Sequence, residues 1–549
     1  MDKQKIKAYV LENSISHDGK ANPNAVIGHL IKAGLNKKDI QKTFPIINEI
    51  VQEINKLSLE DQQKEFNSLN KLVKKPEKKE RTLPELENVT KDFTVRLAPY
   101  PSGDLHIGNA RTYLLNAMYA EKYKGKIKLI MDDTIGSDEK QLIKEAYDLI
   151  PETFKLLGVK YSKPVIYKSS RLKIYYKYAE ELIKLGQAYV CHCTQEEFHK
   201  LKVEMKECSC RQFPPKEQIK RWKQMFKQKQ GQAVLRLKTD MQHRNPAFRD
   251  RVLFRISERP HPKVGKKFKV WPLLDFSWAI DDHLLKITHI IRGKDLMMES
   301  EMEKFIWDIF KWPHPEIIHS GMMRLEGIEG AKISKSKSQA DVKSGKFTGW
   351  DDPRTFSIHS LIRRGILPES IKDFVKEVGL TQNDTIIPIE NLYAINRKKI
   401  DNDADRYFFI TDPIQLNIEN QPQIKNIKIK LNHSKPKQRN ISVDKIFISR
   451  NDYTQFKDKE IRLINLFNIN LSENPQFTDT ENKNIQKIQW VSKSVKTKIL
   501  MENGNWIEGL ADDGIKNLKP GQVIQFERFG FCRFDQTNKG YFEFWFSHK

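Results

Sequence analysis

The amino-acid sequence predicts an α/β protein, with a parallel sheet at its centre, helices before it and β-rich segments after it. Three observations carry that expectation. Between residues 93 and 190 short apolar runs alternate with longer amphipathic stretches, the pattern of parallel strands joined by crossover helices. Residues 1 to about 70 show a helical apolar period. Beyond about residue 388 short β-rich runs are separated by polar turns, which suggests one or two small barrels. A chain of 549 residues has room for about three to five domains.

In chain order, Ile40, Phe44, Ile47, Val51 and Ile54 recur at four- and three-residue steps and form one stripe on a helix. Pro45 lies inside that stripe, so a helix start or kink is expected there. So small a segment needs a neighbour to cover its apolar face. Residues 74–81 are charged and contain Pro76, a linker composition. Strands are expected at 93–97, 127–131, 165–167 and 188–191, with helices near 109–124, 138–157 and 170–186. The pattern breaks over 191–265, which reads as an insertion. Apolar strands return at 273–280 and 284–291, and residues 355–380 read as helices. Further strands are expected at 424–431, 443–449, 523–526 and 542–546, and the Asn-rich stretch 468–487 reads as a loop.

Net charge is +25 with a pI near 9.5. This fits a polyanion partner, most simply nucleic acid. A lysine-rich composition with merely solvated side chains explains the charge equally well. No run of about eighteen apolar residues exists, and the N-terminal residues lack an apolar signal core. The expectation is a cytoplasmic protein without a membrane span. The five cysteines are too few and too clustered for a disulfide scaffold. Cys191-x-Cys193 and Cys208-x-Cys210 supply two close pairs of thiols, which suit tetrahedral Zn²⁺ in a closed structural site. Reduced free thiols are the alternative. Cys532 sits in an apolar β run and reads as a core residue.

Two distant segments carry the chemistry. Arg96-Leu97-Ala98-Pro99-Tyr100-Pro101-Ser102-Gly103-Asp104-Leu105-His106-Ile107-Gly108-Asn109 runs from a strand through a Pro/Gly turn into a helix. It puts a histidine and free N–H groups at a helix N-terminus, where anions bind. Lys332-Ile333-Ser334-Lys335-Ser336 puts two lysines in a hydroxyl-rich loop. Reaction at a nucleotide phosphate builds negative charge at phosphorus and on the departing diphosphate, so fixed cations and N–H donors are what such a reaction needs. Ser102, Gly103, His106, Gly108, Asn109, Lys332 and Lys335 are the candidate ATP-binding residues, with His106, Asn109, Lys332 and Lys335 as the catalytic set. The chain contains neither G-x-x-x-x-G-K-[ST] nor G-x-G-x-x-G, so P-loop and dinucleotide readings fail.

The paired segments resemble the HIGH and KMSKS signatures of class I aminoacyl-tRNA synthetases. Asp132-Asp133-Thr134, Asp281-Asp282-His283-Leu284-Leu285, Ile287-Thr288-His289-Ile290-Ile291-Arg292-Gly293-Lys294-Asp295 and Gly349-Trp350-Asp351-Asp352-Pro353-Arg354 are similar to the glutamyl/glutaminyl branch. So is Leu392-Tyr393-Ala394-Ile395-Asn396-Arg397-Lys398, and residues 523–531 resemble the β-barrel anticodon domain of archaeal glutamyl enzymes. The resemblance implies a Rossmann-like catalytic domain. It places Arg292 near the side-chain carboxylate of glutamate, Arg96 as a second carboxylate contact and Asp132 on the α-ammonium. A bidentate arginine suits a carboxylate better than a neutral amide. Trp271, with Leu274 close by, stands for a tyrosine expected in the substrate strand. Ile130-Met131 and Thr134-Ile135-Gly136 depart from the pattern, and Asn109 replaces the last histidine of HIGH.

The implied domains are an N-terminal helical domain and linker (1–85), the first catalytic half (86–190), an inserted acceptor-binding domain (191–265), the second catalytic half (266–325), the KISKS loop and helical stem-contact region (326–387) and β-barrel anticodon-binding domains (388–549). The implied activity is glutamate–tRNA ligation with ATP and Mg²⁺ on tRNA(Glu) by a monomer, with tRNA(Gln) open as a second acceptor. A glutaminyl enzyme and a catalytically weakened RNA-binding paralogue are the alternatives. RNA contacts are expected from the basic stretch 216–229, Arg363-Arg364, Arg397-Lys398-Lys399 and the barrels.

Overall fold

Four helices open the chain: α1 (Lys3–Ile15), α2 (Pro23–Lys32), α3 (Ile40–Ile54) and α4 (Leu59–Leu69). The computed structural model describes residues 2–17, 19–36, 39–73, 82–135, 141–327, 335–432, 434 and 436–549, and it divides into two compact units, Met1–Arg81 and Thr82–Lys549. In the first unit α3 presents the expected stripe, with Ile47, Ile50, Val51 and Ile54 buried. It runs through Pro45 instead of starting there. The neighbours it needs are supplied within the unit: Ile6, Val10 and Leu11 of α1 and Val26 and Leu30 of α2 join its core.

The second unit begins with the parallel sheet. β1 (Thr94–Leu97), α5 (Ile107–Lys122), β2 (Lys126–Met131), α6 (Ala146–Leu156) and β3 (Ser162–Tyr167) follow one another. β1 pairs in parallel with β2, and β2 with β3. α7 (Leu172–Lys184) then leads into the insertion. There β4 (Ala188–Cys191), β5 (Val234–Leu237), β6 (Val252–Ile256) and β7 (Val270–Pro272) make one antiparallel sheet, with α8 (Gln195–Val203) and α9 (Pro215–Met225) between its first two strands.

The chain returns through α10 (Leu274–Leu284), β8 (His289–Gly293), α11 (Met297–Phe310) and β9 (Glu316–Ser320), with β8 and β9 parallel. β8 lies beside β1: Thr288 N–H donates to Thr94 O at 2.9 Å and Thr94 N–H to Thr288 Oγ1 at 2.9 Å. The order is therefore β3-β2-β1-β8-β9, with a switch point between β1 and β8, where ligands bind at strand C-termini in such sheets. The strand expected over 273–280 is helical instead. α10 buries every residue from Asp275 to Asp282, its aspartates included, because Asp275, Asp281 and Asp282 each pair with an arginine, so its polar residues mark no solvent face and the helical period is hidden.

Next come β10 (Met323–Glu326), α12 (Lys335–Lys343), α13 (Ile358–Arg363), α14 (Pro368–Val378), β11 (Thr385–Pro388) and α15 (Glu390–Ile400). The C-terminal region is mostly strand. One seven-stranded sheet runs Asp405–Tyr407, Val523–Phe526, Gly530–Asn538, Tyr541–His548, Ser494–Leu500, Trp506–Asp512, Phe409–Thr411. Its two edge strands are consecutive in the chain, joined only by Phe408, so the ladder curls back on itself without closing. Among the described residues no barrel closes by hydrogen bonds. Residues 413–491 are inserted between the halves of that sheet and keep their own core of Ile446, Ile448, Ile461, Leu463, Phe467, Ile469 and Trp490. The expected loop at 468–487 contributes strands Asn468–Leu471, Gln476–Phe477 and Gln486–Ile488. Asn468 is fully buried there and bonds Asp479 and Arg462, a polar satisfaction that composition alone conceals. Among the described residues no helix is long and apolar enough to cross a membrane.

Candidate active site

The turn after β1 is clamped from two sides. Asp104 is buried and accepts from Thr153 Oγ1 at 2.7 Å and from His359 Nδ1 at 2.8 Å. Ile358 N–H donates to Leu105 O at 2.9 Å, and His106 makes an antiparallel bridge with Ser357. Gly103 has φ +142°, and a Cβ there would lie 2.1 Å from the Trp350 ring, so only glycine lets this indole pack on the turn. His106 then caps α5 in extended conformation, its Nδ1 accepting from Asn109 N–H at 3.3 Å. An accepting Nδ1 leaves the ring proton on Nε2, the donor a phosphate oxygen needs.

A cavity of about 820 Å³ opens at the β1/β8 switch point. Arg96, His106, Gly108, Asn109, Asp132 and Arg292, from four separate segments of the chain, line it together. Asn109 Oδ1 is buried there without a partner, an acceptor held for a ligand donor. Ser102 and Gly103 do not line the cavity; they build the turn that carries His106. Lys332 lies outside the described residues, and Lys335 opens α12.

Three buried ion pairs stand at the cavity. Arg96 gives Nε and one terminal nitrogen to Asp282 at 2.6 and 3.0 Å, with its guanidinium 3.7 Å above the Trp278 ring. Asp132 meets Lys168 Nζ at 3.0 Å and accepts from the Trp278 indole N–H at 3.3 Å. Arg292 gives both terminal nitrogens to Glu303 at 2.9 and 2.5 Å. Burial pulls the Lys168 ammonium down from its usual range, against the opposing pull of Asp132 and Asp281. The Glu303 carboxyl is pushed up by burial, which outweighs the Arg292 charge.

Trp271 is not part of this wall. It is fully buried in the core of the insertion's sheet, with Trp222, Leu235, Phe254 and Phe276, and stacks on His261 at 5.2 Å. Leu274 and Trp278, on successive turns of α10, line the cavity instead. The sequence reading missed Trp278, Lys168 and Glu303. The misread of α10 as a strand hid the first. The other two carry no motif, and only the fold brings them to Asp132 and Arg292.

The profile described as "tRNA synthetases class I (E and Q), catalytic domain" matches residues 92–402. Two profiles for the anticodon-binding domain of the same enzymes match 404–493 and 487–535. The chain belongs to the glutamyl/glutaminyl branch of the class I tRNA synthetases. Among its relatives are proteins named glutamate–tRNA ligase from Methanosphaera stadtmanae (37% identical, 99% of each chain), Methanocaldococcus jannaschii (38%, 100% of each) and Pyrococcus furiosus (40%, 96% of each).

In this synthetase the cysteine cluster lies in the insertion, away from the cavity wall. The Sγ atoms of Cys191, Cys193, Cys208 and Cys210 are all within 4.8 Å of one another. Cys191 and Cys208 are 3.8 Å apart and Cys193 and Cys208 3.1 Å. A tetrahedral Zn–S₄ site has an S–S edge of about 3.8 Å, so the donor set fits in chemistry and size. Cys210 N–H donates to Cys208 Sγ at 3.3 Å, a contact that steadies a thiolate ligand.

The basic candidates divide. On α9 Trp222 and Met225 are buried while Lys216, Lys220 and Lys223 are exposed, a cationic outer face. Arg364, by contrast, is fully buried and donates to Phe546 O, Ser547 O, Tyr393 Oη and Glu502. Arg363 is held by Asp535 and Asp351. Arg364 thus ties the end of α13 to the final strand and is closed to RNA, whereas Arg363, bonded to Asp535 of the preceding strand, is only half-buried.

Proposed function

We infer that this synthetase is a glutamate–tRNA ligase of the archaeal type. The observation that carries it is the single cavity in which the His106 turn, Arg96, Asp132 and Arg292 converge, in a chain whose full length matches proteins of that name. Glutamate attacks the α-phosphate of ATP and forms glutamyl-adenylate with release of pyrophosphate. The terminal ribose hydroxyl of tRNA then takes the glutamyl group.

His106 Nε2–H and the N–H groups at the start of α5 receive the phosphates. Lys332 and Lys335 neutralise charge on the departing diphosphate. Mg²⁺ accompanies the nucleotide and shields its phosphates. Asp132 takes the α-ammonium, while Arg96 and Arg292 take the carboxylates. The second step uses an already activated carbonyl, so positioning of the ribose suffices without a general base. Cys191, Cys193, Cys208 and Cys210 would hold a structural Zn²⁺, which would brace the insertion without entering the reaction. The exposed face of α9 meets tRNA phosphates.

Aminoacylation with labelled glutamate on tRNA(Glu) and tRNA(Gln) tests this. Charging of tRNA(Glu) is expected. Charging of tRNA(Gln) as well marks a non-discriminating enzyme, and failure with both overturns the reading.

A further inference from the structure

The three charged side chains that the ligase reading gives to glutamate are all engaged within the chain, but not in the same way. Arg96 keeps one terminal nitrogen outside its pair with Asp282. Asp132 meets Lys168 and Trp278 and still lines the cavity. Arg292 has committed both terminal nitrogens to Glu303, and its Nε is buried with no acceptor. Its two-point end is therefore taken, and the atom needed for a side-on approach is closed to solvent. A carboxylate arriving from the cavity finds no bidentate geometry on Arg292 while Glu303 stays in place.

Glu303 lies on α11, fully buried, whereas Arg292 on β8 lines the cavity. Glu303 itself does not line the cavity, so the Arg292 fork must turn from it to meet a carboxylate there. The charged neighbours of Glu303 are Arg292, Arg96 and Asp282. The last two already neutralise each other, so Glu303 has no replacement counter-charge if it loses Arg292. A buried carboxylate deprived of its partner is costly, and that cost is subtracted from whatever glutamate gains at the same guanidinium.

We propose that Glu303 sets the amino-acid affinity of this enzyme: its carboxylate occupies the Arg292 fork in the empty site, and the side-chain carboxylate of glutamate binds by displacing it. The proposal rests on the ligase reading, which puts Arg292 on that carboxylate. The exchange replaces one charge-assisted fork with another, so the net gain is small. Removing the competitor's charge makes the substrate the one strong anion available to Arg292.

The test is the KM for glutamate and for ATP in tRNA-dependent ATP–pyrophosphate exchange, with wild type, Glu303→Gln and Glu303→Asp. Glu303→Gln keeps the shape and an accepting oxygen but loses the charge. Its KM for glutamate is expected to fall about tenfold, the worth of one charge-assisted hydrogen bond, with KM for ATP unchanged. A gain in affinity for one substrate alone is not what structural damage produces. Glutamate should also raise the thermal midpoint of this variant more than that of wild type. Glu303→Asp keeps the charge, and with it the buried pair, on a side chain one methylene shorter. Its KM for glutamate should fall by less, in the same direction, and it stands in should the glutamine variant not fold. An active wild type whose two variants show unchanged or raised KM for glutamate overturns the proposal alone. A wild type that does not activate glutamate overturns the ligase reading and the proposal with it.

Discussion

Asp104 stands two residues before His106 and reaches across to His359, so the cap of α5 is positioned by a charge pair as well as by backbone. Burial by itself would lower the His359 pKa, but the hydrogen bond to Asp104 and the charges of Asp104 and Glu152 outweigh it and hold the imidazole above its usual range. The sign follows from linkage. A folded-state pKa raised above about 6.5 stabilises fully below that pH, and the contribution is lost as pH climbs through the raised value. The difference in thermal midpoint between wild type and His359→Gln should be largest near pH 6 and shrink on raising the pH through the neutral range; a gap that widens instead counts against the pair. A second residue-scale prediction separates the two tryptophans. Trp278→Ala removes the ring between Arg96 and Lys168 and should raise KM for glutamate about tenfold or more. Trp271→Phe, away from the cavity, should cost stability and leave that KM within about twofold. Steady-state kinetics of the two variants decide it.

At the scale of elements, Cys191 ends β4 and Cys193 lies in the loop that leads into α8, while Cys208 caps the short turn Ser209–Gln212, which contains Cys210. Thr194 and Glu197 form a reciprocal capping box at the start of α8, which fixes the chain just after Cys193. One zinc per chain is expected by elemental analysis. Cys208→Ser, which removes the thiol in contact with two others, should lower zinc content and weaken tRNA binding while KM for ATP stays near wild type. Full metal content in that variant contradicts a four-thiolate site. Legibility in the sequence differs from element to element. Strands 93–97 and 523–526 are legible because they are short, apolar and bounded by turns. α10 is not, because a helix buried on all sides shows no period. The seven-stranded sheet is illegible for another reason: its strands are separated by an inserted unit, and nothing local in 405–411 announces partners a hundred residues on. The site divides along the same line. His106, Asn109 and Arg292 sit in motifs that declare them, whereas Lys168 and Glu303 acquire meaning only through what the fold sets beside them.

For the whole molecule, the excess of +25 has a use only where it is exposed and unpaired. Much basic charge is internal or paired, as at Arg96, Arg111, Arg292 and Arg364, while on the outer face of α9 Lys216, Lys220 and Lys223 are all exposed, Lys220 beside Glu217 at 3.2 Å. Binding of tRNA should weaken linearly in log–log plots against salt. Lys216→Glu with Lys220→Glu and Lys223→Glu should make that slope shallower by about two, without altering glutamate KM. Reversal at Arg364 should unfold the C-terminal sheet from α13 and α15 before it reports on RNA at all.

The central claim is that one cavity, at the point where the parallel sheet reverses direction, joins ATP to glutamate. ATP–pyrophosphate exchange by wild type and His106→Ala, with tRNA(Glu) present and glutamate or glutamine supplied, tests it most directly. Exchange by wild type with glutamate alone, lowered at least about a hundredfold in kcat by loss of the imidazole donor, is the predicted result. Equal exchange by the two proteins, or none with glutamate, would contradict it.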